Sequence, residues 1–364
     1  MQPCILALET RSPPLHQEQH EVAKKMAAFL DLSPEHSTLL RRIFKGTLIE
    51  KRHTVIEDYT RDPFGGDFLG TPDHPTTPGM SRRNEFYKLA APPLSLECAE
   101  AVLTAWGGPR ADISHVIYVS CTGLVAPGIE FLLTHDLGLN RSVQRFGLNF
   151  MGCFGAFKGL AMARAFARED ARHRILLVCT ELCSLHFDLS GRPESFVPNA
   201  LFADGSAAVV VGRDPGPDET SLFAIEHQAS IALEDSLHEM RWEATDQGLQ
   251  MVLSAKVPER IEEQIMGFAF DLLKGYGPFD TCDWALHPGG KAILETIESR
   301  CDLQPDQTAA SWSVLRNYGN MSSATFLYVL QEQLKRPTLR GRSVGMGFGP
   351  GLSIEGIVLT RLAS

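Results

Sequence analysis

Apolar positions repeat at helical spacing over residues 20–31, 35–51 and 95–106, the last pattern running out at Gly107 and Gly108. Then the period changes. His115–Cys121 (HVIYVSC), Gln144–Asn149, Arg174–Thr180 (RILLVCT) and Ser206–Gly212 (SAAVVVG) are short apolar runs rich in β-branched residues, and they predict strands. Helical patterns at Gly128–Leu137 and 152–168 lie between them. The second half continues with an apolar run at 221–232, a helix at 258–274 and a strand end at Asp283–Leu286. Helices at 289–300 and 320–334 and strands at 343–348 and 352–360 complete it. Strands that alternate with helices, in runs without polar alternation, predict an α/β protein whose sheets are covered on both faces. The patch Asp214–Glu219 (DPGPDE) reads as a boundary between two halves, 1–213 and 214–364. Residues 53–84, rich in Pro, Gly and Asp without a period, predict a long functional or mobile loop.

Composition narrows the function. With 364 residues, 44% hydrophobic and 21% charged, the chain can bury a large core and falls outside the disordered and fibrous classes. A net charge of −10 offers no basic footprint for nucleic acid or an anionic membrane, so a phosphate-bearing ligand must meet local cations. There is neither an apolar run of spanning length nor a leader-like start, and a cytoplasmic location without membrane insertion is expected. The cysteines at 4, 98, 121, 153, 179, 183, 282 and 301 lack CxxC or Cys/His zinc spacing, which implies a reduced compartment and no metal. His16 and His20 are four residues apart but lack a third candidate ligand.

Three residues carry candidate chemistry. Cys153, in NFMGCFGAFKGLAMARAF, falls where a strand-like segment gives way to a helix. A thiol at a helix N-terminus is drawn toward thiolate by unsatisfied N–H groups and the positive dipole end, although free cysteines are also common core residues. His287 ends the apolar run WAL and is followed by Pro-Gly-Gly, and strand ends of α/β proteins are where active sites collect. Asn320, in RNYGNMSSATFLYVL, precedes an apolar helix and could serve simply as its N-cap.

Taken together, GCFGA at Cys153, HPGGKAIL at His287, YGNMSSA at Asn320 and GFGPGLSIEG at 347–356 resemble, in order and separation, the signature segments of type III polyketide synthases of the chalcone synthase kind. VSCTGLVAPG at 119–128 and ALFADGSAA at 200–208 extend the likeness over almost the whole chain. The resemblance implies a thiolase-like α-β-α-β-α sandwich of two similar halves, a homodimer, and CoA thioesters as substrates without a further cofactor. Cys153 would hold an acyl group from a starter acyl-CoA and pair with His287 as thiolate and imidazolium. His287 and Asn320 would stabilise the enolate left when malonyl-CoA loses CO₂. Phe202 and Met251 would gate the substrate. Arg42 falls at a CoA-binding position, with Lys45 near it on the same helix, while Leu39 and Gly46 replace two other basic positions. Gly289 and Ala292 would let the pantetheine arm pass close to the backbone.

The product cavity implied by the likeness is lined by Cys121, Cys183, His186, Trp242, Met251 and Ser322. Trp242 stands where the plant enzymes carry glycine, and with His186 it resembles the bacterial branch, whose products include alkylpyrones, alkylresorcinols and naphthalenes. Ala126 replaces a methionine that crosses the plant dimer interface. A β-ketoacyl carrier-protein synthase III shares the triad, but typically carries Gln-Ala-Asn after the histidine and GNTSA at the asparagine. A Cys-His-Asn hydrolase of the papain kind lacks support in the local cysteine sequence and the strand–helix alternation. A non-catalytic binding module of the same fold is hard to reconcile with an intact triad. GMGFGPG at 345–351 is followed by no GK[ST] and reads as a turn near the site rather than a phosphate loop.

Overall fold

A computed structural model describes residues 2–71, 73–216, 219–336 and 340–362. Nine strands form one hydrogen-bonded ladder in the order Asp283–Leu286, Arg342–Gly349, Ser353–Arg361, Phe223–Ala232, Cys4–Arg11, Asp204–Gly212, Arg174–Leu182, Ile113–Ser120, Gln144–Asn149. Read from the middle outward the ladder repeats itself. From Cys4–Arg11 the first half runs antiparallel, antiparallel, parallel, parallel, and from Phe223–Ala232 the second runs antiparallel, antiparallel, parallel. The two series meet at a seam of two residue pairs, Cys4 with Ala224 and Ile5 with Phe223.

Alternate side chains of each strand enter different cores, which is why these strands read as continuous apolar runs. Ile117 and Val119 join Phe157, Phe326 and Leu359 in one cluster, whereas Val116 and Tyr118 join Tyr87, Val102 and Leu176 in the other. Helices Gly155–Glu169 and Thr325–Leu334 each pack against strands of both series and form a central layer, with their Phe157 and Phe326 rings 4.1 Å apart. Met80–Trp106 covers the outer face of the first series and Val257–Leu272 that of the second. The layering is α-β-α-β-α, as expected.

Most elements fall within two residues of their expected limits; three departures are instructive. The helix expected at 95 begins at Met80 and runs through Pro92 and Pro93. Its buried face, including Tyr87, Ala91, Leu94, Cys98 and Val102, packs on the sheet and outweighs the lost hydrogen bond at each proline. The helix expected to reach 51 stops at Gly46, and Lys51–His53 instead pairs with His16–Glu18. Part of the 53–84 segment is packed: buried Asp58 accepts hydrogen bonds from Phe68 N and Leu69 N, and Tyr59 is ringed by Phe64, Phe68 and Phe187, while residues 73–77 are exposed. Pro72 in that segment, and Pro217 and Asp218 in the expected boundary patch, lie outside the described residues. Strand Cys4–Arg11, helix Pro305–Tyr318 and the hairpin Met240–Thr245/Gly248–Leu253 went unforeseen. Among the described residues no helix is long and apolar enough to cross a membrane.

If the two central helices are held by their shared aromatic contact, Phe157→Ala lowers unfolding free energy by about 3–5 kcal/mol. Phe270→Ala, at a site 69% exposed, changes it by no more than about 0.5 kcal/mol. Urea denaturation of both variants checks this, and equal effects would contradict it.

Candidate active site

Strand Gln144–Asn149 ends beside Cys153, and the chain reaches the sulfur through two left-handed residues, Phe150 (φ 59°) and Gly152 (φ 74°). Gly152 meets two requirements, since a Cβ there would lie 2.4 Å from Pro350 Cδ as well as being strained. Its N–H points to Cys121 Sγ at 3.0 Å. A 3₁₀ turn, Gly152–Phe154, then leads into helix Gly155–Glu169, so Cys153 sits at the positive end of that helix.

Asn320 is set by its backbone. Its N–H donates to Leu201 O at 2.9 Å and its carbonyl accepts from Ala203 N at 2.9 Å, an isolated parallel bridge opposite Phe202. Its side-chain Oδ1 accepts from Ser322 N at 2.8 Å, which fixes the amide's orientation with Nδ2 as the free donor. Both amide atoms lie 3.8 Å from Cys153 Sγ, and Nδ2 is also 3.4 Å from Gly289 O. Ser322 takes a left-handed conformation (φ 48°) directly beside the asparagine.

His287 follows strand Asp283–Leu286 and is fully buried, with its N–H bonded to Met346 O at 2.8 Å. Neither ring nitrogen has a hydrogen-bond partner among the described residues. A buried imidazole left open at both nitrogens is a costly arrangement that a ligand or transferred proton can relieve. The ring is near Gly289, where an added Cβ would stand 3.8 Å from Nε2, so His287 and Asn320 share that residue as a neighbour. The turn after strand Arg342–Gly349 closes the opposite side, as Gly349 packs on Phe154. This is the close backbone approach read from GMGFGPG.

Burial pushes the Cys153 thiol up to about 12; the Ser322 and Asn320 side chains oppose that shift and the nearby Glu181 carboxylate adds to it. Burial pushes the His287 imidazole down to about 3. Each direction expresses the cost of creating one lone charge in a dry pocket. Moving the thiol proton onto the imidazole creates both charges together, so each offsets part of the other's desolvation.

A cavity of about 360 Å³ is lined by Cys183, His186, Phe202, Trp242 and Met251. Cys121 and Ser322 are packed in the wall near Cys153 and do not line it. Both His186 nitrogens are engaged, by Thr122 O at 2.8 Å and Leu249 N at 3.2 Å, and burial pushes its pKa down to about 4. His186 therefore ties the Met240–Leu253 hairpin to the end of strand Ile113–Ser120. A second, largely apolar cavity of about 500 Å³ is lined by Ile43, Val197, Leu201, Gly289, Lys291 and Ala292 among others, and shares Glu194 and Leu253 with the first. Arg42 and Lys45 are exposed on the helix Pro34–Gly46 and line neither cavity, whereas Gly46 lines the second.

Sequence reasoning missed Glu181. This fully buried carboxylate accepts from Cys121 N and Thr122 Oγ1, each at 2.9 Å, and from Ser323 Oγ at 2.5 Å. It ties the strand end behind Cys153 to the turn after Asn320. Burial holds its pKa above the usual carboxylate range. The available signal was an acidic residue closing the apolar run RILLVCTEL. Lys291, a cation on the wall of the second cavity, was also missed.

Comparison with known proteins agrees with the geometry. The profile of the chalcone and stilbene synthase N-terminal domain matches residues 2–215, and that of the C-terminal domain matches residues 225–363. Probable polyketide synthase 1 of Dictyostelium discoideum is 34% identical over 333 residues; the match takes in 89% of this chain but 10% of that protein, so the chain spans about a tenth of its length. Type III polyketide synthase A of Arabidopsis thaliana is 33% identical over 337 residues, covering 89% of this chain and 84% of the relative. Among solved structures, the C-terminal type III polyketide synthase domain of Steely1, a type I/III hybrid from Dictyostelium, superimposes with a TM-score of 0.94 at 31% identity, covering 100% of both chains. With both halves matched and the same fold along its full length, the chain belongs to the chalcone and stilbene synthase family, the type III polyketide synthases.

Proposed function

We propose that the protein extends a starter acyl-CoA with malonyl-CoA by decarboxylative condensation on Cys153 and releases a cyclised pyrone or phenolic product. The observation that carries this is the meeting of Cys153 Sγ with both amide atoms of Asn320 at 3.8 Å, together with a buried imidazole, open at both nitrogens, that shares Gly289 as a neighbour with that amide.

The sulfur proton passes to His287, and the thiolate attacks the starter thioester carbonyl. The carbon–sulfur bond to CoA breaks, and the departing CoA thiolate takes the proton from the imidazolium. Malonyl-CoA then enters, and the bond to its carboxylate breaks as CO₂ leaves. The electron pair stays behind as the enolate of acetyl-CoA. Asn320 Nδ2 and His287 hold the enolate oxygen, each contributing about 3–4 kcal/mol. The enolate carbon attacks the acyl group on Cys153, Sγ leaves as thiolate, and the chain returns to CoA two carbons longer. No step draws on a metal or further cofactor.

The apolar cavity at Gly289, Gly290 and Ala292 suits the pantetheine arm. The cavity beyond Phe202, narrowed by Trp242 and Met251, suits the growing chain. A homodimer and a cytoplasmic location belong to the same proposal. Gln144–Asn149 ends the ladder with one open edge, and exposed Phe131 and Phe150 flank it, an apolar edge that a second copy would cover. All eight cysteines are free and buried, which suits a reduced compartment.

Purified protein given malonyl-CoA and an acyl-CoA panel is expected to release CoA and form polyketides seen by mass spectrometry, and Cys153→Ala to form none. Condensed product from that variant would refute the nucleophile assignment, and faster turnover with malonyl carrier protein than with malonyl-CoA would assign the chain to carrier-protein chemistry instead.

The pH dependence of Cys153 alkylation by iodoacetamide tests the pair. With the imidazolium present, its charge offsets the desolvation that raises the thiol. In His287→Ala that offset is lost while burial and the Glu181 carboxylate still raise the thiol, so the alkylation profile is expected to move about one to three pH units to the alkaline side. Coincident profiles would show that His287 does not govern the sulfur.

A further inference from the structure

Arg52 is a buried cation outside the triad, 4% exposed, in the short strand Lys51–His53. Its Nη1 donates to two carbonyls, Asn199 O and Phe202 O, each at 2.7 Å. The guanidinium carbon lies 5.5 Å from the Phe44 ring centre and 5.4 Å from that of Phe187. Nε and Nη2 are buried without a hydrogen-bond partner among the described residues. The aliphatic stem lies against Gly319, where a Cβ would come within 3.1 Å of Arg52 Cγ and 2.9 Å of Leu201 O in a conformation (φ 71°) that already favours glycine. Arg52 therefore touches one partner of the backbone bridge that sets Asn320, Phe202, by hydrogen bonds, and Gly319, next to the other, by packing.

Burying a cation with one nitrogen bonded and two not is unfavourable, and an apolar side chain would fill the same space without that desolvation cost. What an apolar replacement would lose is the pair of bonds to the segment against which Asn320 is aligned, along with the cation's attraction for the buried Asp204 carboxylate, which Arg52→Lys retains. An oxyanion donor is effective only when held within a few tenths of an ångström of where charge develops, so a loosened bridge reaches the chemistry. Cys153 is held by other contacts, through Gly152 with Cys121 and Pro350, which do not involve this bridge.

We propose that Arg52 is a positioning residue for the decarboxylation step, fixing the Asn320 amide through the Phe202 carbonyl and the chain that flanks it. The inference rests on the reading of Asn320 as an enolate donor, and it separates the two half-reactions: Arg52 governs malonyl-CoA decarboxylation and reaches the sulfur only through the long 3.8 Å contact of Asn320 with Cys153 Sγ, a much weaker lever.

The test measures CO₂ release from malonyl-CoA and Cys153 alkylation by iodoacetamide in the same full-length preparations. Arg52→Met is expected to lower kcat for decarboxylation about 10- to 100-fold with KM held, and to leave the alkylation rate within about two-fold. Arg52→Lys, whose ammonium can donate to both carbonyls, is expected to recover most of the loss. Should Arg52→Met not accumulate as folded protein, Arg52→Gln serves for the same comparison. Parallel loss of both readouts would mean that Arg52 only supports the fold, and undiminished decarboxylation in Arg52→Met or Arg52→Gln would overturn the assignment. An Asn320→Ala control keeps the failures apart. Full decarboxylation without the asparagine amide would refute the reading of Asn320 itself, whereas loss there with none at Arg52 would refute the positioning role alone.

Discussion

The contact between Phe157 and Phe326, at the middle of the molecule, is what the rest of the structure depends on. These rings belong to the two central helices, and locking the helices side by side brings two N-termini to one place. One carries Cys153 and the other Asn320 and the turn after it. Two positive helix ends near the Cys153–Asn320 contact are a fixed electrostatic feature of the backbone, present whatever side chains line the cavities. Two strained residues flank this junction: Phe150 before the cysteine and Ser322 after the asparagine are both left-handed. The aromatic core holds in place a backbone that short peptides would not adopt.

Dryness gives the junction its chemical character and also its cost. Cys153, His287 and Asn320 are all at least nine-tenths buried, and a second buried carboxylate, Glu181, opposes negative charge on the sulfur. In such a place no single charge is favoured, so charges must be created in pairs and neutralised in pairs. On the proposed mechanism acylation discharges the pair, because the imidazolium gives its proton to the departing CoA, and decarboxylation exchanges the malonyl carboxylate's charge for the enolate's. That step would leave the net charge of the occupied site unchanged, which limits the reorganisation the pocket must undergo.

The alternation of strand and helix was legible because each strand serves two cores, which erases polar alternation and leaves bare apolar runs such as RILLVCT. Cys153 and His287 drew attention because each stands where a strand-like run stops and a helix begins, and Asn320 because it precedes an apolar helix; only the order of their motifs joined the three. What escaped notice has physical reasons. Pro92 and Pro93 hid half of the longest helix, since local propensity carries no information about the sheet face that overrides it. The hairpin carrying Trp242 was hidden because its strands pair only with each other and bury one face weakly. Arg42 and Lys45 lie on a helix that does border the apolar cavity, yet cavity-lining there belongs to Ile43, Gly46 and Thr47 on the neighbouring face. Arg52 is indistinguishable in sequence from a solvated basic residue, because nothing local announces that Phe44 and Phe187 enclose it.

The hairpin's isolation from the nine-stranded ladder has a further consequence. It is attached through Met80 N to Asp246 O, Leu249 N to His186 Nδ1, and Gly351 N to Met240 O, and it contributes no strand to the sheet. Trp242 and Met251, cross-strand partners on it, shape the cavity next to Phe202 without touching the central helices' aromatic contact. Replacing either changes the space open to a chain while leaving untouched the backbone that places the sulfur, the imidazole and the amide. The backbone around Cys153 and the walls of this cavity thus rest on parts of the fold that share little besides the segment at Phe202, and that segment is the one Arg52 holds.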